Sequence, residues 1–377
     1  MTLQRHLTLV VPDLLSCAKK DVIAYLAFQA KQNSQLNSQH NSQHNAQQKL
    51  RLKALELLLS RALVSLTPPP YYDDLLFQLF GVARPEDGDL PVGALTAYLH
   101  DVGRIHHNNK WYLRTDPIHL RPDGDQLVVF GNQGLNITRE EADALCAEIN
   151  AVYDDMPWRL IALTPTQWVL ESDEAPKICT FALEKVVGLG LGDFLPVGEQ
   201  AKQWHAILNE LQMLMHSSRI NATRTGAGGL PINSVWFWGG GQLPAVSAGS
   251  ESPWVQCWSN ESLSLALAKL TNVPGVDLPA DGEAWLSQAT TPGRHVVVLE
   301  NRKEFTATPD VHTWWQWLCA MDERWFSPCV DALRRGELDG LSLVTNHGQF
   351  DLRRPLLKRW WKRIKPVSHH IPQLSSN

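Results

Sequence analysis

One stretch of the chain combines an arginine, two asparagines and a glycine run at a spacing suited to anion binding. It covers residues 221–241 and reads NATRTGAGGLPINSVWFWGGG. An arginine such as Arg224 can hold a phosphate or carboxylate through paired hydrogen bonds, and backbone N–H groups near Gly239 and Gly241 can approach an anion closely because glycine lacks a side chain. The same glycines would also suit a tight structural turn. The stretch therefore predicts either an anion site or a turn.

Asp13 is a second candidate because of what precedes it. It follows HLTLVV, a short β-rich run, and ligands of open α/β sheets bind at the carboxyl ends of the strands. A helix cap is the alternative for Asp13. Arg114, in RTDPIHL, and Arg224 could equally form structural ion pairs, and His347 could be an ordinary loop histidine.

Strands and helices alternate around these candidates. Strand-like runs cover residues 6–11, 233–239, 295–300 and 341–346, and helical segments such as 313–335 separate the later ones. The apolar residues of 200–216 recur at helical spacing, which predicts an amphipathic helix packed on a core. This order predicts an α/β core with a mostly parallel sheet and helices on both faces.

A different pattern occupies the middle of the chain. A turn signal, RPDG at 121–124, separates two β-like stretches, and Thr138 with Glu141 forms the sequence of a capping box before a helix. Further strands near 159–162 and 168–171 predict an inserted α+β subdomain. Residues 32–48, rich in Gln and Asn, predict a surface expansion.

The order of these motifs resembles a known family. The spacing Asn-x-x-Arg, then Gly-x-Pro-x-Asn-x-x-Trp-x-Trp-Gly-x-Gly, closely resembles a signature of archaeal-type cofactor-independent phosphoglycerate mutases, of the alkaline phosphatase superfamily. HLTLVVPDLL, NELQM and PINSVWFWGGG are more similar still to the bacterial branch called predicted phosphoglycerate mutase, or regulatory protein of the "regulation of pathogenicity factors" E type. The resemblance implies an alkaline-phosphatase-like core from residues 1–104 and 190–377, with a lid-like insertion at 105–189.

The resemblance also implies a chemistry that this chain does not fully match. Family members transfer a phosphoryl group with a Ser nucleophile and two divalent cations, Mn or Zn, held by Asp and His. By resemblance, Asp13 matches the first metal ligand, Tyr72 lies at the nucleophile position and Asp73 is kept beside it. The later metal motifs read Asn301-Arg302-Lys303 and Asn346-His347.

The predicted function is therefore a phosphoglycerate-mutase-like pseudoenzyme, depleted of metal and needing no cofactor, with a regulatory or phospho-ligand-binding role. Its predicted ligand-binding residues are Arg114, Asn221, Arg224, Asn233, Gly239 and Gly241. Its residual metal ligands would be Asp13, Asp73 and His347. The alternative is an active, metal-dependent mutase or phosphotransferase whose ligands include Asp73, Asp310, His312 and His347.

The end of the chain is strongly basic. Residues 352–377 carry seven Lys and Arg and no acidic residue, so removing them from the formal net charge of −5 leaves −12 on residues 1–351. Trp360 and Trp361 lie within this run, which predicts a final amphipathic helix docking its Trp and Leu residues on the acidic body. A protein or nucleic acid bound at Arg353–Lys365 is the alternative.

Composition bounds the class of protein. No apolar run approaches the roughly 18 residues of a membrane span, and no signal peptide is evident. The six cysteines show no metal-like spacing, which predicts mostly buried, inert thiols. We expect a bacterial, cytoplasmic protein without a membrane partner.

Overall fold

The computed structural model describes residues 4–12, 14–37, 51–65, 71–101, 110–132, 134–246, 252–299, 310–359 and 361–371. The chain forms two compact units, the first from residues 1–80 with 251–377 and the second from 81–250. Each unit is described by itself below.

The described helices and strands follow one another in this order. The first unit begins with β1 (Arg5–Val10), α1 (Lys19–Asn37), α2 (Lys53–Arg61), β2 (Leu63–Ser65) and α3 (Tyr72–Phe80). The second unit contains α4 (Val92–Leu99), β3 (Trp111–Ile118), β4 (Leu120–Asp123), β5 (Gln126–Val129), α5 (Arg139–Val152), β6 (Trp158–Ala162), β7 (Trp168–Ser172), α6 (Leu183–Val186), α7 (Ala201–Ser217), α8 (Arg219–Gly226) and β8 (Ser234–Gly241). The first unit continues with β9 (Gln256–Trp258), α9 (Ser262–Leu270), β10 (Gly275–Val276), α10 (Gly282–Gln288), β11 (Gly293–Val298), α11 (Val311–Met321), α12 (Ser327–Arg335), β12 (Gly340–Thr345), β13 (Gly348–Arg353) and α13 (Arg354–Leu357).

A seven-stranded sheet forms the centre of the first unit. Its strand order is β10-β9-β11-β1-β12-β13-β2, with parallel pairing from β10 to β12 and antiparallel pairing of β13 with β12 and β2. β1 pairs with a strand on each side, and five of its six residues are buried, as expected of a central strand in a parallel sheet. The predicted α/β class with a mostly parallel sheet is confirmed.

One side of this sheet carries a tryptophan-rich core. Leu7, Leu9, Leu341 and Leu343 are fully buried among residues of α2, α10, α11 and α12. Five buried tryptophans belong to the same cluster, namely Trp258, Trp285, Trp314, Trp315 and Trp325. Burial of such large rings accounts for much of the tryptophan in this part of the chain, because each removes a large apolar area from water.

A four-stranded antiparallel sheet, in the order β6-β7-β3-β8, forms the second unit. β8 was predicted as a strand of the parallel core, and that placement is wrong: β8 pairs antiparallel with β3, with Trp236 opposite Asp116. Its apolar side packs on α7, where the rings of Phe237 and Trp204 meet edge to face. Hydrophobic spacing identifies a strand but not its partner. The compact units divide at 80/81 and 250/251, and a core–insertion division at 104/105 and 189/190 stays a prediction.

Several local predictions for the second unit are confirmed. Thr138 and Glu141 form the capping box that begins α5. β4 and β5 form the predicted hairpin, although its turn is at 124–125 and residues 121–123 of the predicted turn belong to β4. α7 buries its apolar residues at helical spacing, from Trp204 to Met215. Of the predicted insertion at 32–48, residues 32–37 belong to α1 and the remainder lies outside the described residues.

The cysteines are mostly buried, as predicted. Cys17, Cys146, Cys257 and Cys329 are buried, whereas Cys179 is exposed. Burial raises the pKa of the Cys257 and Cys329 thiols to about 12, which keeps them protonated and unreactive. Among the residues described, no helix is both long and apolar enough to cross a bilayer.

Candidate functional site

The predicted site residues divide between the two units. Tyr72, Asp73, Asn346 and His347 belong to the first unit, and Arg114, Asn221, Arg224, Asn233, Gly239 and Gly241 belong to the second. Asp13 and Asn301 lie outside the described residues.

Asn346 and His347 form the turn between β12 and β13. Thr345 pairs with Gly348 across the hairpin, so the two residues are its whole connection. The Thr345 hydroxyl accepts a hydrogen bond from the backbone N–H of His347 at 3.0 Å, and the His347 side chain is exposed. The hairpin thus places one neutral amide and one imidazole at the carboxyl end of β12.

Tyr72 begins α3, and its ring is buried with only 6% of the residue exposed. Asp73 follows in the first helical turn and is half-buried. A carboxylate in the first turn of a helix is stabilised by the helix dipole, which gives Asp73 a structural role without any ligand. The nucleophilic role of Tyr72 stays a prediction.

These donors do not fit the two-cation site that the resemblance implies. A pair of divalent ions requires several carboxylate and imidazole ligands held together, whereas Asn346 contributes only a neutral amide. Within the described ranges, no group of three or more His, Cys, Asp or Glu residues could hold a metal ion.

The further ligands of the alternative, Asp310 and His312, have structural contacts of their own. Asp310 caps α11, accepting a hydrogen bond from the Thr313 backbone N–H at 3.1 Å, and this bonding lowers the pKa of its carboxyl group. The Nδ1 atom of His312 lies 2.7 Å from the Tyr25 hydroxyl. Both residues therefore stabilise the start of α11.

Arg114 is 6% exposed and is bound within the second unit. Its Nη2 donates to the two carboxylate oxygens of Asp116 at 2.7 and 2.8 Å, and Nη1 donates to the Thr96 hydroxyl at 3.2 Å. The indole N–H of Trp238 donates to Asp116 at 2.8 Å, and the Arg114 guanidinium lies 5.0 Å from that ring. Burial raises the pKa of Asp116, while Arg114 and the Trp238 hydrogen bond lower it. The charges of Arg114 and Asp116 therefore neutralise each other in the interior of the second unit.

Asn221 and Asn233 bind backbone groups. The Asn221 amide donates to the Met215 and Ile232 carbonyls and accepts from the Ile232 N–H at 2.8 Å. Asn233 binds both backbone groups of Leu120, at 2.7 and 2.8 Å. Each asparagine therefore substitutes for a strand partner and holds the segment that leads into β8.

Arg224 is buried at the end of α8, where it joins three segments. Its guanidinium pairs with Glu141 of the capping box and donates to the Leu135 and Leu230 carbonyls. The Glu141 carboxylate therefore neutralises the charge of Arg224 within the second unit.

The glycine run ends β8 against the chain before α4. Gly239 has a φ of +64°, and a Cβ atom on Gly241 would lie 2.6 Å from the Pro91 side chain. The Gly239 N–H donates to the Thr180 hydroxyl at 3.2 Å. A left-handed backbone therefore requires glycine at position 239, and close packing requires it at position 241. Ligand binding by the six predicted residues of this unit, from Arg114 to Gly241, stays a prediction.

A cavity that the sequence reasoning missed lies in the first unit. It has a volume of about 550 Å³ and opens beside Asn260, Leu278 and Leu299, which follow β9, β10 and β11. Its opposite wall comes from α11 and the π-helical turn Asp322–Phe326, through Trp317 and Arg324. The carboxyl edge of a parallel sheet is where α/β proteins bind ligands, and cavities of this size suit small molecules. Because π-helical turns have no sequence signature, only the folded chain shows Arg324 beside Trp317.

Comparison with known proteins gives likeness at the level of structure. No family model matches the chain. No curated protein matches it either. The chain is similar to a cofactor-independent phosphoglycerate mutase from Thermoplasma acidophilum DSM 1728, with 15% identity, a TM-score of 0.49 and coverage of 100% of this chain and 96% of that one. It is also similar to the PH0037 protein from Pyrococcus horikoshii, with 12% identity, a TM-score of 0.55 and coverage of 97% and 92%. The chain shares its fold with the Pyrococcus horikoshii protein.

Proposed function

We propose that this chain is a phosphoglycerate-mutase-like protein that binds a phosphorylated small molecule in a regulatory role instead of transferring its phosphoryl group. The motif resemblance and the α/β fold support the first part. The observation that carries the second is the donor chemistry at the β12–β13 hairpin, where Asn346 stands in place of the family's aspartate. A neutral amide does not supply the negative charge that holds a divalent cation.

The position of Tyr72 supports the same proposal. Its buried ring lies at the start of α3, where the resemblance implies a serine nucleophile. A phenol extends its oxygen several ångströms farther from the backbone than a serine does. A phosphoryl group placed for serine attack would therefore not meet the Tyr72 oxygen.

The cavity beside β9 and β11 is the binding site that we propose for the ligand. Arg324 supplies one cation, no lining residue carries an acidic side chain, and Trp317 and Trp325 supply apolar surface. Arg324 Nη2 donates to the Ala280 carbonyl, which orients the guanidinium and leaves further N–H donors for an anion. An anionic ligand with an apolar portion fits this lining.

Metal analysis and a mutase assay test the lack of phosphoryl transfer. Purified chain should contain far less than one Mn or Zn per molecule, and 2- and 3-phosphoglycerate should not interconvert when either metal is added. Two bound ions with turnover would instead establish the active mutase. In that case Asp73→Ala and His347→Ala should each reduce metal content.

Ligand binding is tested separately by calorimetry with 3-phosphoglycerate. Arg324→Gln should weaken binding roughly tenfold or more, because it removes a charge-assisted hydrogen bond. Lys202→Gln, on the exposed surface of α7, is the matched control and should bind as the unmodified chain does. If Arg324→Gln and Lys202→Gln bind 3-phosphoglycerate equally well, the cavity is not the binding site. If no form of the chain binds it, the ligand does not belong to this class of phosphorylated molecules.

A further inference from the structure

The chain beyond β13 does not form the predicted docking helix. α13 covers only Arg354–Leu357, and Trp361 is 65% exposed. Among the described residues beyond β13, Leu356, Val367 and Ile371 are buried. The predicted helix is wrong for the described residues because α13 ends before Trp361, whereas a leucine of this segment is buried as predicted; Trp360 lies outside the described residues.

Two contacts with α2 hold the ends of this segment. Arg61 donates through Nη1 to the Leu357 carbonyl at one end. At the other end, the Lys365 N–H donates to the Ser60 hydroxyl at 2.9 Å. We call residues 358–359 and 361–365 the basic loop. Because both ends are attached to one helix, the loop displays its side chains at a defined place on the first unit.

Four cations of the basic loop have no charged partner among the described residues. Lys358, Arg359, Lys362 and Arg363 have no ion pair or side-chain hydrogen bond with any residue that the structure describes. Lys358, Lys362 and Arg363 are exposed, and Arg359 is half-buried. Unpaired cations in such a cluster repel one another, so an anionic partner that bridges them is favourable.

We propose that the basic loop binds single-stranded nucleic acid. Its cations can contact successive phosphates, and the exposed Trp361 ring can stack on an unpaired base. A duplex keeps its bases stacked on one another, so it offers the ring no such surface. A single strand is favoured over an anionic lipid surface because it can follow the loop locally, away from the acidic residues that give residues 1–351 a formal charge of −12.

Fluorescence anisotropy with the full chain tests the proposal. The probe is a labelled oligothymidylate of about 15 nucleotides, compared with a duplex of the same length. Binding should favour the single strand, and the slope of log affinity against log salt concentration should be about −3, from about −0.7 for each of four phosphate contacts.

Three variants separate the contributions. Trp361→Ala should weaken binding roughly 5- to 150-fold at constant salt without changing the slope, because it removes one stacked base. The double variant Lys362→Gln/Arg363→Gln should reduce the slope by about 1.4. Ile364→Ser should leave binding unchanged, since an aliphatic side chain does not stack. All four positions are exposed, so unfolding temperatures should match that of the unmodified chain.

Several results would overturn the proposal. They are absence of binding at low salt, equal affinity for the duplex, or full affinity in Trp361→Ala. Vesicles of phosphatidylcholine and phosphatidylserine in equal amounts form a further arm. Stronger binding to these vesicles, weakened by Ile364→Ser as well as by Trp361→Ala, would assign the loop to lipid instead.

Discussion

Replacing Arg114 with methionine tests whether this residue stabilises the second unit. The substitution removes three hydrogen bonds to Asp116, one to Thr96 and the contact with the Trp238 ring, while keeping much of the side-chain volume. It leaves a carboxylate that is 1% exposed without its counter-charge. Loss of one partner from a buried ion pair costs about 3–5 kcal/mol, so we expect a decrease of this size in the free energy of unfolding.

The size of this decrease should depend on pH. Burial raises the pKa of Asp116 and Arg114 lowers it, so the pKa in Arg114→Met should be higher than in the unmodified chain. A carboxyl group whose folded pKa exceeds its unfolded pKa contributes stability at low pH and loses it as pH rises through the folded pKa. The deficit of Arg114→Met should therefore be smaller at pH 5 than at pH 8.

Urea unfolding, followed by circular dichroism and tryptophan fluorescence at both pH values, measures this deficit. Lys177→Met removes an exposed ion pair with Glu199 and should change stability by less than about 0.5 kcal/mol. Arg114→Met/Asp116→Asn removes both charges and should recover at least half of the loss. A deficit below about 1 kcal/mol in Arg114→Met would refute a structural role and leave ligand binding as the reason for this arginine.

Three further predictions concern other contacts. Burial raises the pKa of Asp322 to about 6, so stability should fall by up to about 3 kcal/mol between pH 4 and pH 7 relative to Asp322→Asn, as measured by urea unfolding. Thr138→Ala should cost about 1 kcal/mol, because the capping box with Glu141 loses one of its two hydrogen bonds; Thr138→Ser should restore it. Gly240→Ala should lower the unfolding temperature by several degrees, because its Cβ would lie 2.3 Å from a tryptophan ring; an unchanged temperature would show that the ring can move.

The fold was largely predictable because its signals are local. Alternating strands and helices, the capping box at Thr138 and the helical spacing in α7 each depend on residues within one segment. The partner of β8 was not predictable, since the same apolar strand could complete either sheet. Its pairing with β3 depends on contacts between segments more than a hundred residues apart, such as Trp238 with Asp116.

The candidate site shows the same division. Residue type alone distinguishes Asn346 from the aspartate that a metal would need, and it places seven cations near the chain's end. It did not distinguish an arginine that binds a ligand from one that pairs with a buried carboxylate, because both require the same guanidinium. The structure decides this for Arg114 by the partners that surround it.

The sequence by itself determined the α/β class, the order of the elements and the charge asymmetry, because these follow from composition and periodicity along the chain. Only the tertiary structure decided which strands pair, which charges are buried with partners and which remain exposed. Arg224 and Lys362 look alike in sequence, yet one is enclosed among carbonyls and a carboxylate and the other extends into solvent. The physical reason is that solvation and pairing depend on distances through space, which local spacing does not specify.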